Sequence, residues 1–276
     1  MSYEEIYKSK LMTADEAVAA HIKSGDKIWL GGLSVADKVL SCVIEKVKQG
    51  ALENIDFYGN MTMDDIGLAD KDIPADKFRY HAFFYGGYER EGCKNGVVTN
   101  VPLHLSRFED YVSYIDPDVA VVPMTPPNEQ GFCNIGPAGY SPSGLNHAKK
   151  IIAQINKNIP RVYGSSHDYH VNDIAAFVEC HKDELMPSSQ PPTATEEKIA
   201  SYILERIPDG ACIQLGIGGT ANAVGFGLKD KKHLGIHSEM YTDSMAYLQS
   251  IGVVDNSRKT FMPGLSVAGF AFNTAQ

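Results

Sequence analysis

Glu239 and the glycine run before it are the residues with the most chemical potential in this chain. Cys212, Ile213, Gln214 and Leu215 predict a short strand, and Gly216-Ile217-Gly218-Gly219-Thr220 predicts a turn of nearly bare backbone. A helix is expected from Ala221. Leu234-Gly235-Ile236 predicts a second short strand, ending at His237-Ser238-Glu239-Met240. Glycines let a ligand approach the main chain closely. Amides there can hold an oxyanion, and a carboxylate at the end of the neighbouring strand can attack a carbonyl carbon. That combination suits acyl transfer. Two other readings fit the same residues. Gly216 to Ala221 matches G-x-G-x-x-A, and Glu239 lies 239 − 216 = 23 residues later, near where a dinucleotide site keeps its ribose-binding acid. The third reading is a turn with a purely structural role and a surface glutamate.

The elements that would position these residues occur twice. Gly25, Ile28, Leu30, Gly31, Ala36 and Val39 align without gaps on Gly210, Ile213, Leu215, Gly216, Ala221 and Val224, an offset of 210 − 25 = 185 residues. Each block follows a helical stretch opened by a threonine, Thr13 and Thr195. Thr13-Ala-Asp-Glu16 reads as a capping box. A strand is expected at Lys27 to Leu30 and a helix from Ala36 to Lys48, with Val39, Leu40, Val43, Ile44 and Val47 on one face. Val119 to Pro123 and Lys150 to Ile155 are uninterrupted apolar runs, as in strands covered on both sides of a parallel sheet. Alternating strands and helices give an α/β fold made of two related open α/β halves. The proline-rich stretch at 187–192 is the expected linker, between a first half at 1–186 and a second at 193–276. The last residue corresponds to position 276 − 185 = 91 of the first copy, so the second half is expected to be incomplete.

Composition narrows the function classes. A net charge of −9 argues against nucleic-acid binding. It leaves room for a small anion, with Lys149-Lys150 and the Lys229 to His233 stretch as basic candidates. No apolar run approaches the roughly 20 residues of a membrane span, and the polar N-terminus has no signal-peptide core. The five cysteines are scattered with no C-x-x-C pair, which predicts reduced, mostly buried thiols and a cytoplasmic location. Cys133, in the Pro/Gly-rich loop from Pro123 to Gly144, reads as structural. His167 and His170 match no strong zinc spacing, so no metal is expected. His237 reads as a core histidine. Tyr85, Phe132 and Tyr140 are candidate pocket walls.

Gln214 to Val224 followed by Lys231 to Asp243 closely resembles the acetyl-CoA hydrolase/transferase family, and in particular its 4-hydroxybutyrate and butyryl-CoA:acetate CoA-transferases. Pro126 to Gly136 and Thr260 to Gly264 resemble further segments of that family, whereas Gly31-Gly32 departs from its usual wording. The resemblance implies two α/β halves of the CoA-transferase type with an active site between them, and about the last third of a full-length member missing here. It makes Glu239 the nucleophile and Gly216, Ile217, Gly218, Gly219 and Thr220 the coenzyme A contacts. Coenzyme A is then a substrate, with no tightly bound cofactor, and the partners are an acyl-CoA and a short-chain carboxylate such as acetate, butyrate or 4-hydroxybutyrate. The expected chemistry is ping-pong CoA transfer through a glutamyl-CoA thioester. Acyl-CoA hydrolysis by the same glutamate, an NAD-binding oxidoreductase and an inactive truncated fragment are the alternatives. A homo-oligomer is compatible with the sequence.

Overall fold

A computed structural model describes residues 2–139, 141–183 and 191–272. Its contacts divide the chain into two compact units, Met1–Leu185 and Met186–Gln276. The expected linker at 187–192 falls largely outside the described residues. Only Pro191 and Pro192 are described, and they have no regular structure.

Among the described residues the first unit has nine strands: β1 (Lys27–Leu33), β2 (Ile55–Thr62), β3 (Phe78–Ala82), β4 (Val98–Asn100), β5 (Val119–Met124), β6 (Phe132–Asn134), β7 (Lys150–Ile155), β8 (Asp168–His170) and β9 (Ala176–Glu179). Its helices are α1 (Tyr3–Ser9), α2 (Ala14–His21), α3 (Asp37–Lys48), α4 (Gly87–Lys94), α5 (Phe108–Ile115) and α6 (Ser141–His147). Seven strands form one parallel sheet in the order β4-β3-β2-β1-β5-β7-β9, and β6 pairs with β8 as an antiparallel ribbon. The Pro126 to Gly136 stretch, expected as a loop, therefore contains a strand.

The apolar runs become strands because both faces of the sheet are covered. Every residue of β5 is buried. Pro123 sits in this central strand although it has no N–H to give. The β1–β5 pairing ends at Trp29↔Ala120, so its missing donor costs no bond to β1. One cluster of buried side chains joins α2 and α3 to β1 and β2, and α3 contributes the five residues of its predicted apolar face. A second cluster surrounds Trp29. The indole is fully buried, and α6 comes so close to it that a Cβ on Gly144 would overlap the ring. Gly144→Ala is expected to destabilise this unit by about 1–3 kcal/mol through overpacking. Trp29 is the one tryptophan of the chain, so its fluorescence in a denaturant titration reads this effect directly.

The second unit contains α7 (Ala194–Leu204), β10 (Cys212–Ile213), α8 (Gly219–Gly227), β11 (Gly235–Thr242), α9 (Asp243–Ser250) and β12 (Val267–Phe272). Its three strands are parallel, in the order β10-β11-β12. That order repeats β1-β2-β3 of the first unit, as the internal repeat requires, and Gly25 and Gly210 both take positive φ. One expectation is corrected. Helix α7 is capped by Thr193, whose hydroxyl accepts from the Glu196 amide while the Glu196 carboxylate accepts from the Thr193 amide. Thr195 lies inside the first turn, and the capping box is Thr193-x-x-Glu196. The hydrophobic core here is smaller, built on Ile213, Leu215, Val224, Leu228, Ile236, Met245 and Leu248.

Candidate active site

Glu239 lies in the middle of β11 and not just beyond its end, as the sequence suggested. The strand continues to Thr242 because its residues alternate: Ile236, Ser238, Met240 and Thr242 are buried on one face, while His237 and Glu239 are exposed on the other. The mixed polarity of His-Ser-Glu-Met hides that period of two from a search for apolar runs. β10 and the residues that follow it show the same alternation, with Ile213 and Leu215 buried and Cys212, Gln214 and Gly216 exposed.

Register fixes what stands beside Glu239. On one side Ser238 pairs with Ala268 and Met240 with Phe270, which sets Gly269 level with Glu239. On the other side Cys212 pairs with Gly235 and Ile213 with Ile236. The ladder ends there, and Gln214 to Gly216 lead on from β10 toward the start of α8. The buried Ser238 hydroxyl donates to the Leu215 carbonyl at 3.3 Å and keeps the two chains together there. Aligned residues of neighbouring strands share a face, so Glu239 and Gly269 lie side by side on the same face of the sheet. Gly269 and Ser238 were missed in the sequence. The available signal was a glycine inside an apolar strand pattern, Val267-Ala268-Gly269-Phe270, which marks a close backbone approach.

The glycine turn is open on the side that matters. A Cβ built on Gly216 or Gly218 would meet nothing within 4 Å, and Ile217 is 67% exposed. Gly218 has φ 134°, which side-chain-bearing residues rarely adopt, and it is the N-cap of α8 with no side chain capping it. The helix begins at Gly219, two residues before the expected Ala221. Gly219 and Thr220 are only partly exposed, and the space over Gly219 is taken, since a Cβ there would overlap the Glu196 carboxylate. Hydrogen bonds from Thr193, the backbone amide first, lower the pKa of Glu196 and keep it charged at this end of α8.

The first copy of the turn differs instructively. A Cβ on Gly31 would come within 2.6 Å of Ser141 Oγ, and one on Gly32 within 2.5 Å of Asn60 Cβ. The N-terminus of α3 is plugged by the buried Gln154, whose Oε1 accepts from the Lys38 and Val39 amides at 3.0 and 3.3 Å. In the first unit the same local sequence plan is thus filled by protein.

The remaining candidates spend their chemistry on structure. Cys133 is buried in β6, and burial pushes its thiol up to about 12 against a smaller opposing pull from Arg161. Alkylation at pH 8 is expected to label Cys93 and Cys212, which are exposed, and to spare Cys133 in the folded protein; peptide mass mapping reads the outcome. The expectation of mostly buried thiols fails, since Cys133 alone of the five is buried. Cys42 lies on α3, Cys93 on α4, Cys180 just past β9 and Cys212 on β10, each with part of its surface open to solvent. His237 is exposed and not a core histidine, and its ring stacks on Phe261 at 5.5 Å. Asp168, between His167 and His170, binds Arg161 and Asn134. Lys149 pairs with Asp116 and Asp118, which leaves it little charge for a ligand. Tyr85 packs against the first core, Phe132 sits edge-on to His170, and Tyr140 lies outside the described residues.

Residues 1–188 match the family model for the acetyl-CoA hydrolase/transferase N-terminal domain. The chain belongs to the acetyl-CoA hydrolase/transferase family. It is 35% identical to the butyryl-CoA:acetate CoA-transferase of Anaerostipes caccae over 99% of this chain and 63% of that protein. It is 34% identical to the 4-hydroxybutyrate coenzyme A transferase of Clostridium kluyveri, over 99% of this chain and 64% of that protein. The chain therefore spans less than two thirds of the length of these relatives. The crystal structure of RipA from Yersinia pestis superimposes with a TM-score of 0.93 at 27% identity, covering 99% of this chain and 66% of RipA. The family's α/β architecture of the CoA-transferase type is thus the architecture of this chain.

No helix among the described residues of this acetyl-CoA hydrolase/transferase family member is long and apolar enough to cross a membrane.

Proposed function

We propose that this protein belongs to a CoA-transferase that moves coenzyme A between an acyl-CoA and a short-chain carboxylate, with Glu239 as the nucleophile. The observation that carries the reading is the position of Glu239 on the exposed face of β11, level with Gly269, while its neighbour Ser238 bonds the Leu215 carbonyl just before the glycine turn. The names of the two relatives at 35% and 34% identity support the substrate class.

The steps balance without a redox partner. A Glu239 carboxylate oxygen attacks the thioester carbon, the C–S bond breaks, and CoA leaves as thiolate from a mixed anhydride. The thiolate attacks the glutamyl carbonyl of that anhydride, the C–O bond to the acyl group breaks, and the donor acid departs as carboxylate. Glu239 is then a CoA thioester. An acceptor carboxylate attacks it, and the same two steps run in reverse to give the new acyl-CoA and free Glu239. No net proton moves. Amides of Gly218 and Gly219, at the start of α8, are the donors this reading gives to the developing negative charge or to the coenzyme, and loss of one such donor costs about 3–4 kcal/mol of barrier. A carboxylate exposed to water is a weak nucleophile. The bound coenzyme must therefore cover this face and exclude solvent, so binding far from the thioester contributes to the rate.

Glu239's exposure also favours a second reading, acyl-CoA hydrolysis, with water taking the place of the acceptor. Product formation from butyryl-CoA with and without acetate separates the two. Transfer predicts acetyl-CoA only when acetate is present. Free CoA released at equal rates in both mixtures rejects transfer, and tight NADH binding without CoA binding rejects both.

A further inference from the structure

The β11 ladder has a gap just before Glu239, and two side chains fill it. β11 and β12 pair only from His237↔Val267 onward. Earlier on the same edge, Leu234 bonds to the segment at 253–256: its amide donates to the Val253 carbonyl, and its carbonyl accepts from the Asp255 and Asn256 amides. Ile236 lies between the two. Its amide donates to Asn256 Oδ1 at 2.9 Å, and its carbonyl accepts from the Lys259 ammonium at 2.7 Å. The same ammonium also donates to the Leu265 carbonyl, and Asn256 Nδ2 donates to Ser266 Oγ at 3.1 Å. Both side chains therefore grip β11 and the two residues that lead into β12. The matching residue of the first unit, Phe57, sits instead within a continuous main-chain ladder from Ile55↔Phe78 to Gly59↔Ala82.

Lys259 is only 8% exposed, and a buried ammonium is costly unless its donors are used. Its stem packs on Gly235, where a Cβ would meet Lys259 Cγ at 2.5 Å. Two residues on, Phe261 stacks on His237. The segment at 259–261 thus follows the face of β11 that carries Glu239, the next residue on that face after His237.

We infer that Lys259 is a positioning residue for Glu239. Its ammonium supplies the missing rung and fixes both the approach of β11 to Glu239 and the start of β12 beside it. This rests on the transferase reading and adds to it what aims the nucleophile.

The test uses Lys259→Met in the 276-residue chain, which keeps an apolar stem over Gly235 and removes every ammonium donor. Saturating butyryl-CoA is added, samples are reduced with borohydride at timed intervals, and modified Glu239 is measured by peptide mass spectrometry. The variant is expected to reach the wild-type extent of modification about a hundredfold more slowly, the scale of a 1 Å misplacement. A smaller extent reached at the wild-type rate makes Lys259 a folding residue only and overturns the assignment, as does an unchanged rate and extent. Amide hydrogen exchange across 235–242 and 265–272 is expected to quicken in the variant, and unchanged exchange there overturns the rung. If Lys259→Met does not fold, Lys259→Gln, with an NH2 donor on a shorter stem, is read in the same way. No modification of Glu239 in the wild type overturns the transferase reading, and hydrogen exchange then decides the rung alone.

Discussion

Glu239→Gln is expected to lower acyl-CoA:carboxylate exchange by on the order of ten-thousand-fold or more, the usual scale for removing a covalent nucleophile. The amide keeps the size and polarity of the side chain and cannot form the anhydride. The glycine turn at Gly216 to Gly218 lies on a different strand end and is untouched, so coenzyme A binding should stay within a few-fold of wild type. Glu239→Asp keeps the carboxylate but withdraws it by about one bond, and a displacement near 1 Å costs on the order of a hundredfold. Steady-state exchange kinetics with equilibrium CoA binding give both numbers. Exchange within tenfold of wild type for Glu239→Gln would remove the nucleophile from this residue.

The largest expected loss of stability is at Asp64. Its side chain is 4% exposed and holds two partners, the Lys182 ammonium at 2.5 Å and the Val35 amide at 2.9 Å. Lys182 also reaches Asp37 at 2.8 Å, and Asp37 accepts from Gln154 Nε2. Burial works against the Lys182 charge, but the hydrogen bonds it donates to the Asp37 and Asp64 carboxylates outweigh it and raise its pKa. This network ties the start of α3 and the last described residues of the first unit to the ends of the central strands. Asp64→Ala leaves the Val35 N–H without its acceptor and Lys182 with one carboxylate. The cost of removing one partner from a buried pair is about 3–5 kcal/mol, a large share of the 5–15 kcal/mol that holds a typical domain. Asp64→Asn keeps an acceptor for Val35 and should cost less. Urea unfolding followed by Trp29 fluorescence measures both, and a change under about 1 kcal/mol for Asp64→Ala would show that the network contributes little net stability.

Much of the architecture was legible because its signals are local. β5 and β7 are uninterrupted apolar runs that begin where expected, and α3 has its apolar face at the predicted five residues. The capping box at Thr13 forms as read. The second helix was assigned to the wrong threonine because Thr193 and Thr195 stand two residues apart and the choice depends on the Glu196 carboxylate folding back. The extent of β11 was not legible. Alternating burial appears only once α8 and α9 cover one face, and the exposed face carries the polar residues. The candidate site was half legible. Glycines before a helix and a glutamate one strand over are visible in a linear reading. Gly269 is not, because its importance comes from pairing with Glu239 across the sheet. Nor could the sequence show that the first glycine turn is filled by Ser141, Asn60 and Gln154, residues contributed by distant strands and helices.

The central claim is a covalent one and can be tested as such. The protein is incubated with butyryl-CoA, reduced with borohydride and digested, and the peptide spanning Gly235–Thr242 is sequenced by mass spectrometry. Reduction of a glutamyl-CoA thioester should convert Glu239, and no other carboxylate, to the corresponding alcohol. A peptide with Glu239 intact, while a different residue carries the modification or none does, would contradict the account.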